Sequence, residues 1–327
     1  MTTREILGQF RKRSALVAGD ICLDRWCQYD PAVAEPSRET GIPRIGAVST
    51  VVTPGAGGTV ANNLAALGVG RVAVLGATGR DGFGEELRWA LAERGIEHTL
   101  LVTDPAIQTF TYTKLLNLAT GDEDLPRLDF INTKPLDAPT ERRLIDGLAA
   151  AAPAFDVILV SDQAETSQGG VVTAAMRDAI AALAIAHPDK IIWVDSRERL
   201  ELFRGAYLKA NEDEIRSACS RLFGRPDYPA LRRHARAPGL LMTQGPAGVL
   251  VFDDLGERFI ATRRVEHPVD ICGAGDSFSA AAAMALAVTG SLDEAARLGN
   301  LVASVTIMKR GTGTASAEEV LAAESEL

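Results

Sequence analysis

Arg71-Val72-Ala73-Val74-Leu75-Gly76 is a short apolar run stopped by glycine, and the stretch from Gly84 to Arg94 behind it has helical periodicity. The pair reads as a strand, a turn and a helix. The same unit recurs on both sides. Leu16-Val17-Ala18 runs into Gly19-Asp20, Val157 to Val160 follows an Ala-rich helix around Leu144 to Ala152, Ile191 to Val194 ends at Asp195, and Leu240 to Thr243 ends at Gln244-Gly245. Helical patterns at Ala61 to Leu67, Val171 to Ala186 and Ser277 to Val288 lie between and beyond them, and Glu318 to Leu327 reads as a closing helix. Such alternation predicts an α/β fold, a mostly parallel sheet covered by helices on both faces. Ligands in these folds sit beyond the carboxyl ends of the strands, where Asp20, Asp162, Asp195 and Thr243 fall.

Two stretches interrupt the pattern. Residues 29–53 are rich in proline and charge and turn β-like from Ile45 to Val52, and residues 109–130 open on Thr109-Phe110-Thr111-Tyr112-Thr113. Both predict short strands in a small β-flap lid. The core then takes residues 1–28, 54–108 and 131–327.

Composition narrows the function. A formal net charge of −9 opposes general affinity for nucleic acid or an anionic membrane, and 5% aromatic residues leave little for base stacking. Cys22, Cys27, Cys219 and Cys272 form no CxxC pair, and His98, His187, His234 and His267 show no metal spacing. Reduced thiols and an N-terminus without a signal-like apolar run point to a cytoplasmic protein. No Walker A motif is present. Gly76-Ala77-Thr78-Gly79-Arg80-Asp81-Gly82 matches a dinucleotide fingerprint imperfectly and lacks its ribose-binding acid.

The chemistry concentrates in Asp270-Ile271-Cys272-Gly273-Ala274-Gly275-Asp276, which leads directly into the small-residue helix Ser277-Phe278-Ser279-Ala280-Ala281. Glycines at a helix N-terminus expose backbone amides, and the helix dipole adds partial positive charge. Asp276 falls in the first turn, within reach of the same spot. Amides of Gly273, Ala274 and Gly275 that hold an anion, with Asp276 as a base, meet the minimum for phosphoryl transfer. The plain alternative is a glycine-rich turn with Asp276 as a helix cap.

These residues resemble the second signature of the ribokinase-like, or phosphofructokinase-B type, carbohydrate kinases. Within that family the chain is most similar to the heptose-7-phosphate kinases, and the likeness runs from Val17 to Thr314. It implies a three-layer α/β/α sandwich with a β-flap lid, a sugar or sugar phosphate as acceptor, ATP with Mg2+, and a homodimer formed through the flap. Gly19-Asp20-Ile21-Cys22-Leu23-Asp24-Arg25 resembles the opening turn, which implies that Asp24 holds sugar hydroxyls. Pro54 to Gly68 resembles the first signature, which implies substrate contacts at Gly55, Ala56, Thr59 and Asn63. Arg127-Leu128-Asp129-Phe130 matches a piece of the heptose branch and adds Arg127 to the substrate side. Asn211-Glu212-Asp213-Glu214 resembles the NxxE motif, which implies that Asn211 and Glu214 share one helix face and organise magnesium, largely through water. Thr243 and Gly245 match a turn near nucleotide phosphates, Gly311 lies where the family closes over adenine, and Asn300 is expected to approach it. Asp270 matches the residue beside a monovalent-cation site, which leaves potassium activation open.

The chain also departs from the family pattern. Thr59 stands where an asparagine is usual, and Ala56 replaces a common glycine. Glu165 replaces a lysine and Ser196-Arg197 replaces a Pro-Lys pair, so the charge reversal at 165 weighs against a phosphorylated substrate. The nucleotidyltransferase half that often follows in the heptose branch has no counterpart before Leu327. Arg38 and Lys114 read as solvated charges as readily as substrate ligands. Two alternatives stay open: a nucleoside kinase of the same fold, and a non-catalytic sugar-binding regulator on a kinase scaffold.

Overall fold

The structure is a computed structural model and describes residues 1–325 except Ser167. In chain order its strands are β1 Ser14–Gly19, β2 Ile21–Tyr29, β3 Ala47–Ala56, β4 Arg71–Gly79, β5 Glu97–Asp104, β6 Thr111–Asn117, β7 Leu128–Phe130, β8 Val157–Asp162, β9 Ile191–Ser196, β10 Tyr207–Asn211, β11 Leu240–Thr243, β12 Gly248–Asp253 and β13 Gly256–Ala261. Nine of them form the main sheet in the order β13-β12-β11-β10-β9-β8-β1-β4-β5. From β11 to β5 every pairing is parallel, and β12 and β13 add an antiparallel edge.

The central strands are apolar throughout because both their faces are covered. Side chains alternate between two cores. Ala15 and Val17 of β1 join the core formed with the helices Gly57–Ala66, Ala274–Thr289 and Leu292–Thr306, while Leu16 and Ala18 join the core on the opposite face with Ala138–Ala151, Ala174–Ala186 and Glu212–Phe223. The closing helix runs Ala317–Ser325, and the last two residues of the expected segment lie outside the described residues. The small-residue run Ala280 to Ala283 is fully buried, which lets its helix sit close to Leu292–Thr306. A Cβ on Gly299 would lie 2.6 Å from the Phe278 ring, so the approach of the two helices needs glycine there. Among the described residues no helix is long and apolar enough to cross a membrane.

A second sheet, ordered β3-β2-β6-β7, forms the lid. Its open edges are β3 and β7, which expose Val48, Val51 and Leu128. The expected boundary at residue 29 is displaced. The chain leaves the main sheet at Gly19 and enters the lid at Ile21, so β2 belongs to the smaller sheet along its whole length. Likewise β3 runs on to Ala56, past the expected limit at 53. The pivot is Asp20. Its buried carboxylate accepts three backbone N–H groups, from Gln163, Ala164 and Val171, each at 2.8 Å. Gly19 is obligatory beside it, because a Cβ would lie 2.2 Å from the Ser161 carbonyl oxygen.

The return from lid to core passes through Ala56 at φ 50° and ψ −120°, just before the helix Gly57–Ala66. That conformation favours glycine, and a side chain held there costs about 1–3 kcal/mol. Ala56→Gly is therefore expected to stabilise the fold by about 1 kcal/mol, or about 2 °C in Tm, after the extra unfolded-state entropy of glycine. A thermal melt showing no gain would mean that the backbone carries no strain at this position.

Candidate active site

Lid and core meet over a cleft at the carboxyl ends of the strands. Asp24 and Trp26 reach it from β2, Tyr112 and Lys114 from β6, and Arg127 from the segment before β7. The core supplies Ala56, Thr59, Gln163, Glu165 and Arg197, and Cys272, Gly273, Asp276 and Thr312 close it.

Gly273 adopts φ 79° and caps the helix Ala274–Thr289 with no side-chain hydrogen bond. The first amides of a helix have no intrahelical acceptor. Ala274 spends its N–H on the Ile271 carbonyl at 3.2 Å, so the expected trio of amides is altered: those of Gly273, Gly275 and Asp276 have no acceptor among the described residues. Asp276 lines the cleft beside them. Burial, reinforced by the charge of Asp195, pushes its carboxyl up to about 7, against the pull of Lys209 and Arg197. A carboxylate with that affinity for protons, beside free amides, accepts a proton near neutral pH and faces a place suited to an anion.

Asp24 faces the same cleft. Burial pushes it up to about 6, while Lys114, Arg127 and Arg197 oppose the rise. Gly55 works through Asp24: a Cβ there would lie 2.4 Å from its carboxylate. Thr59 turns its hydroxyl to the Pro54 carbonyl at 3.3 Å, and its methyl group lies towards Gly273. Asn63 is fully buried and does not line the cleft; its Nδ2 donates to the Thr59 carbonyl at 3.0 Å. Its expected substrate contact is replaced by a role inside the first-signature helix.

The cleft takes in Arg127, as expected, and Lys114, whose role the sequence leaves open, together with Trp26, Tyr112, Gln163 and Arg197, which the sequence does not assign to it. Arg197 donates to Gln163 Oε1 at 2.7 Å and to Glu165 at 2.5 Å, so the reversed charge at Glu165 meets a cation 32 residues away. Lys114 lies 4.8 Å from the Trp26 ring centre and pairs with Glu123 at 3.3 Å. Arg127 makes two 2.7 Å bonds to Asp129 and lies 5.1 Å from the Tyr112 ring. Lys114 thus belongs to the cleft wall, and Arg38 is exposed in its loop. The available signal was the alternation of Tyr112 and Lys114 with Asp24 and Trp26 across two paired strands.

The expected nucleotide side lies at the ends of β10 and β11, where Asn211 and Thr243 are in register. Asn211 is the N-cap of its helix, so it does not share a helix face with Glu214. Asn211 Oδ1 accepts from the Glu214 amide at 2.9 Å, and Glu214 Oε2 accepts from the Asn211 amide at 2.7 Å. One Glu214 oxygen stays without a partner among the described residues, and burial raises that carboxyl. This donor set fits a hydrated magnesium ion, which binds few carboxylates and keeps several waters. No group of three or more His, Cys, Asp or Glu among the described residues is placed to hold a metal alone. Gln244, next to Gly245, joins the two turns by donating to Glu212 at 3.2 Å. Asn300 donates to the Ile260 and Ala261 carbonyls at 3.3 and 3.4 Å, so its amide staples a helix to β13. Asp270 braces two loops, accepting from Cys272 at 2.9 Å and from Gly311 at 3.0 Å. With both oxygens already accepting, it would bring chiefly its charge to a neighbouring cation.

Comparison with known proteins bears on the family and the fold. The model of the pfkB family carbohydrate kinases matches residues 32–319. Bifunctional protein HldE of Rhodopseudomonas palustris is 32% identical over 319 residues, covering 94% of this chain and 62% of the relative. Its counterpart in Caulobacter vibrioides is 32% identical over 325 residues, covering 97% and 64%. The chain therefore spans under two thirds of the length of these relatives. Among solved structures, phosphofructokinase-2 from Escherichia coli in complex with potassium superposes with a TM-score of 0.72 at 19% identity, over 96% of this chain and 98% of that one. Ribokinase from Arabidopsis thaliana complexed with ribose and ATP gives 0.65 at 18%, over 95% and 98%. These likenesses show a ribokinase-like fold, and the family match over most of the chain's length carries the assignment: the chain belongs to the pfkB family of carbohydrate kinases.

Proposed function

We propose that this kinase transfers the γ-phosphoryl group of ATP to a hydroxyl of a sugar lying between Asp24 and Asp276. The observation that carries the reading is Asp276 itself, a carboxyl raised to about 7 beside amides with no acceptor among the described residues. Asp24 accepts hydrogen bonds from sugar hydroxyls and fixes one of them towards Asp276. Asp276 takes the proton of that hydroxyl as the new P–O bond forms to the γ-phosphorus and the bond to the β,γ-bridging oxygen breaks, releasing ADP. The amides of Gly273, Gly275 and Asp276, with the helix dipole behind them, stabilise the negative charge of the group in flight. Asn211 and Glu214 would hold magnesium through water, and the ion, when bound, neutralises nucleotide phosphate charge.

Two observations bear on the acceptor. Lys114 takes one face of the Trp26 ring and Arg127 one face of the Tyr112 ring, which reduces the aromatic surface open to a base and favours a sugar over a nucleoside. Each cation on the cleft wall is paired with an acid: Arg25 with Glu86, Lys114 with Glu123, Arg127 with Asp129, and Arg197 with Glu165. A substrate phosphate would compete with these acids for the cations, so the pairing weakens the site's pull on a phosphate and supports an unphosphorylated acceptor.

Asp276→Asn is expected to lower kcat at least about a hundredfold while leaving ATP-analogue binding in place. A folded variant that kept more than about a tenth of turnover would contradict the proposed role. Because the folded-state pKa of Asp276 lies above its ordinary value of 3.8, the fold penalises the charged form. The penalty grows between about pH 4 and 7 and is full above 7. The same variant should therefore gain more stability at pH 8 than at pH 5, by about 1 kcal/mol once solvent screening is allowed for. A panel of aldoses, ketoses and heptoses, each with its phosphate ester, scored by ADP release, identifies the acceptor. Free sugars should be preferred, and Glu165→Lys should shift preference towards the esters by at least about threefold in kcat/KM. A wild-type preference for esters would overturn the unphosphorylated acceptor, and ligand binding without ADP release would instead support a sugar-binding regulator.

A further inference from the structure

Behind the cleft wall, under the first turn of the helix Ala274–Thr289, lies a buried ion pair. Lys209 of β10 and Asp195 of β9 are register partners on adjacent parallel strands, and the Lys209 Nζ donates to Asp195 Oδ2 at 2.7 Å. Ser279 Oγ donates to the same oxygen at 3.1 Å. Lys209 is only 5% exposed and Asp195 7%, and neither lines the cleft. A Cβ on Gly275 would fall 2.8 Å from Lys209 Nζ, so the ammonium group lies directly behind the backbone that presents the free amides.

Burying such a pair is a poor way to stabilise a fold. Desolvation offsets much of the attraction, and well-packed apolar residues of similar volume often do as well. The position of the pair suggests another reason for it. Lys209 touches the amide loop at Gly275, and Ser279 ties Asp195 to the same helix one turn beyond Asp276. We propose that Lys209 and Asp195 are positioning residues for the phosphoryl transfer, with Lys209 placing a full positive charge behind the amides and Asp195 holding it there and tempering its effect on Asp276. This rests on the kinase reading given above.

The charges facing Asp276 come from four elements. Asp195 on β9 and Asp24 on β2 oppose its ionisation, whereas Lys209 on β10 and Arg197 after β9 favour it. The Cys272 thiol beside it is held up chiefly by burial, and Glu214 acts on Asp195 and Lys209 from the next helix. The signs follow directly. Asp195→Asn removes a negative charge and lets Asp276 ionise at lower pH. Lys209→Met removes a positive charge and raises the pH at which it ionises.

The test is kcat/KM against pH for the best acceptor, in the wild type, Asp195→Asn, Lys209→Met, Lys209→Arg and the neutral double variant Asp195→Asn/Lys209→Met. The acid limb should move down in the first variant and up in the second, each by at least about half a pH unit. Lys209→Met should also lower the plateau at least about tenfold, with part of the loss recovered in Lys209→Arg. Limbs that stay in place, or that both move the same way in folded variants, would overturn the proposal. Where Lys209→Met fails to fold because it strands Asp195, the double variant decides: a plateau at least about tenfold low supports the proposal, and a wild-type plateau overturns it. Failure of every variant to fold would mark the pair as structural and overturn it as well. A wild-type protein that releases no ADP with any acceptor would instead sink the kinase reading.

Discussion

The site depends on one helix end that is left uncapped. Gly273 takes a left-handed conformation and offers no side chain to the first turn of Ala274–Thr289, so the amides of Gly273, Gly275 and Asp276 are left without an acceptor among the described residues, beside the cleft that Gly273 and Asp276 line. Most neighbouring features can be read as consequences. Gly275 lacks a Cβ because Lys209 occupies the space behind it. The run of alanines beyond lets the helix bury itself between the sheet and Leu292–Thr306, which fixes where its N-terminus points. Asp276, on that turn, shares the buried setting and holds its proton far more tightly than an exposed carboxyl does.

The lid is built to present a second carboxylate to that helix end. Asp20 anchors the pivot with three backbone hydrogen bonds, which also hold the loop that carries Gln163 and Glu165. From that pivot β2 carries Asp24 over the cleft, and Gly55 clears room for it on the paired strand. The strained backbone at Ala56 marks the return path. Together these contacts set two acids against each other across a cleft whose other charges are paired.

Much of this is legible in the residues themselves. Apolar runs ending in glycine or acid mark the strands of a parallel sheet, because strands covered on both faces must be apolar and their carboxyl ends must be open. Gly273 to Asp276 is legible as a glycine turn that opens a helix; a plain helix start uses the same residues, and the resemblance to a family signature singles them out. The lid boundary is not, since Ile21 to Tyr29 shows no clean alternation: Cys22 and Leu23 are buried in succession where lid and core meet. The spacing of Asn211 and Glu214 suggests one shared helix face, and the structure instead makes the pair a reciprocal helix cap. The pairings of Arg197 with Glu165 and of Lys209 with Asp195 join residues distant in the chain, and only the strand order brings them together.

The central claim is that Asp276 titrates near neutral pH, so that its ionised form is present there and holds a transferred proton firmly. Carbon-13 NMR of the protein labelled at aspartate side-chain carboxyls reads this directly in the free enzyme. One resonance should titrate near pH 7, about a unit above those of Asp20 and Asp24, and vanish in Asp276→Asn. A resonance assigned to Asp276 that titrates near the ordinary aspartate value of 3.8 would contradict the account.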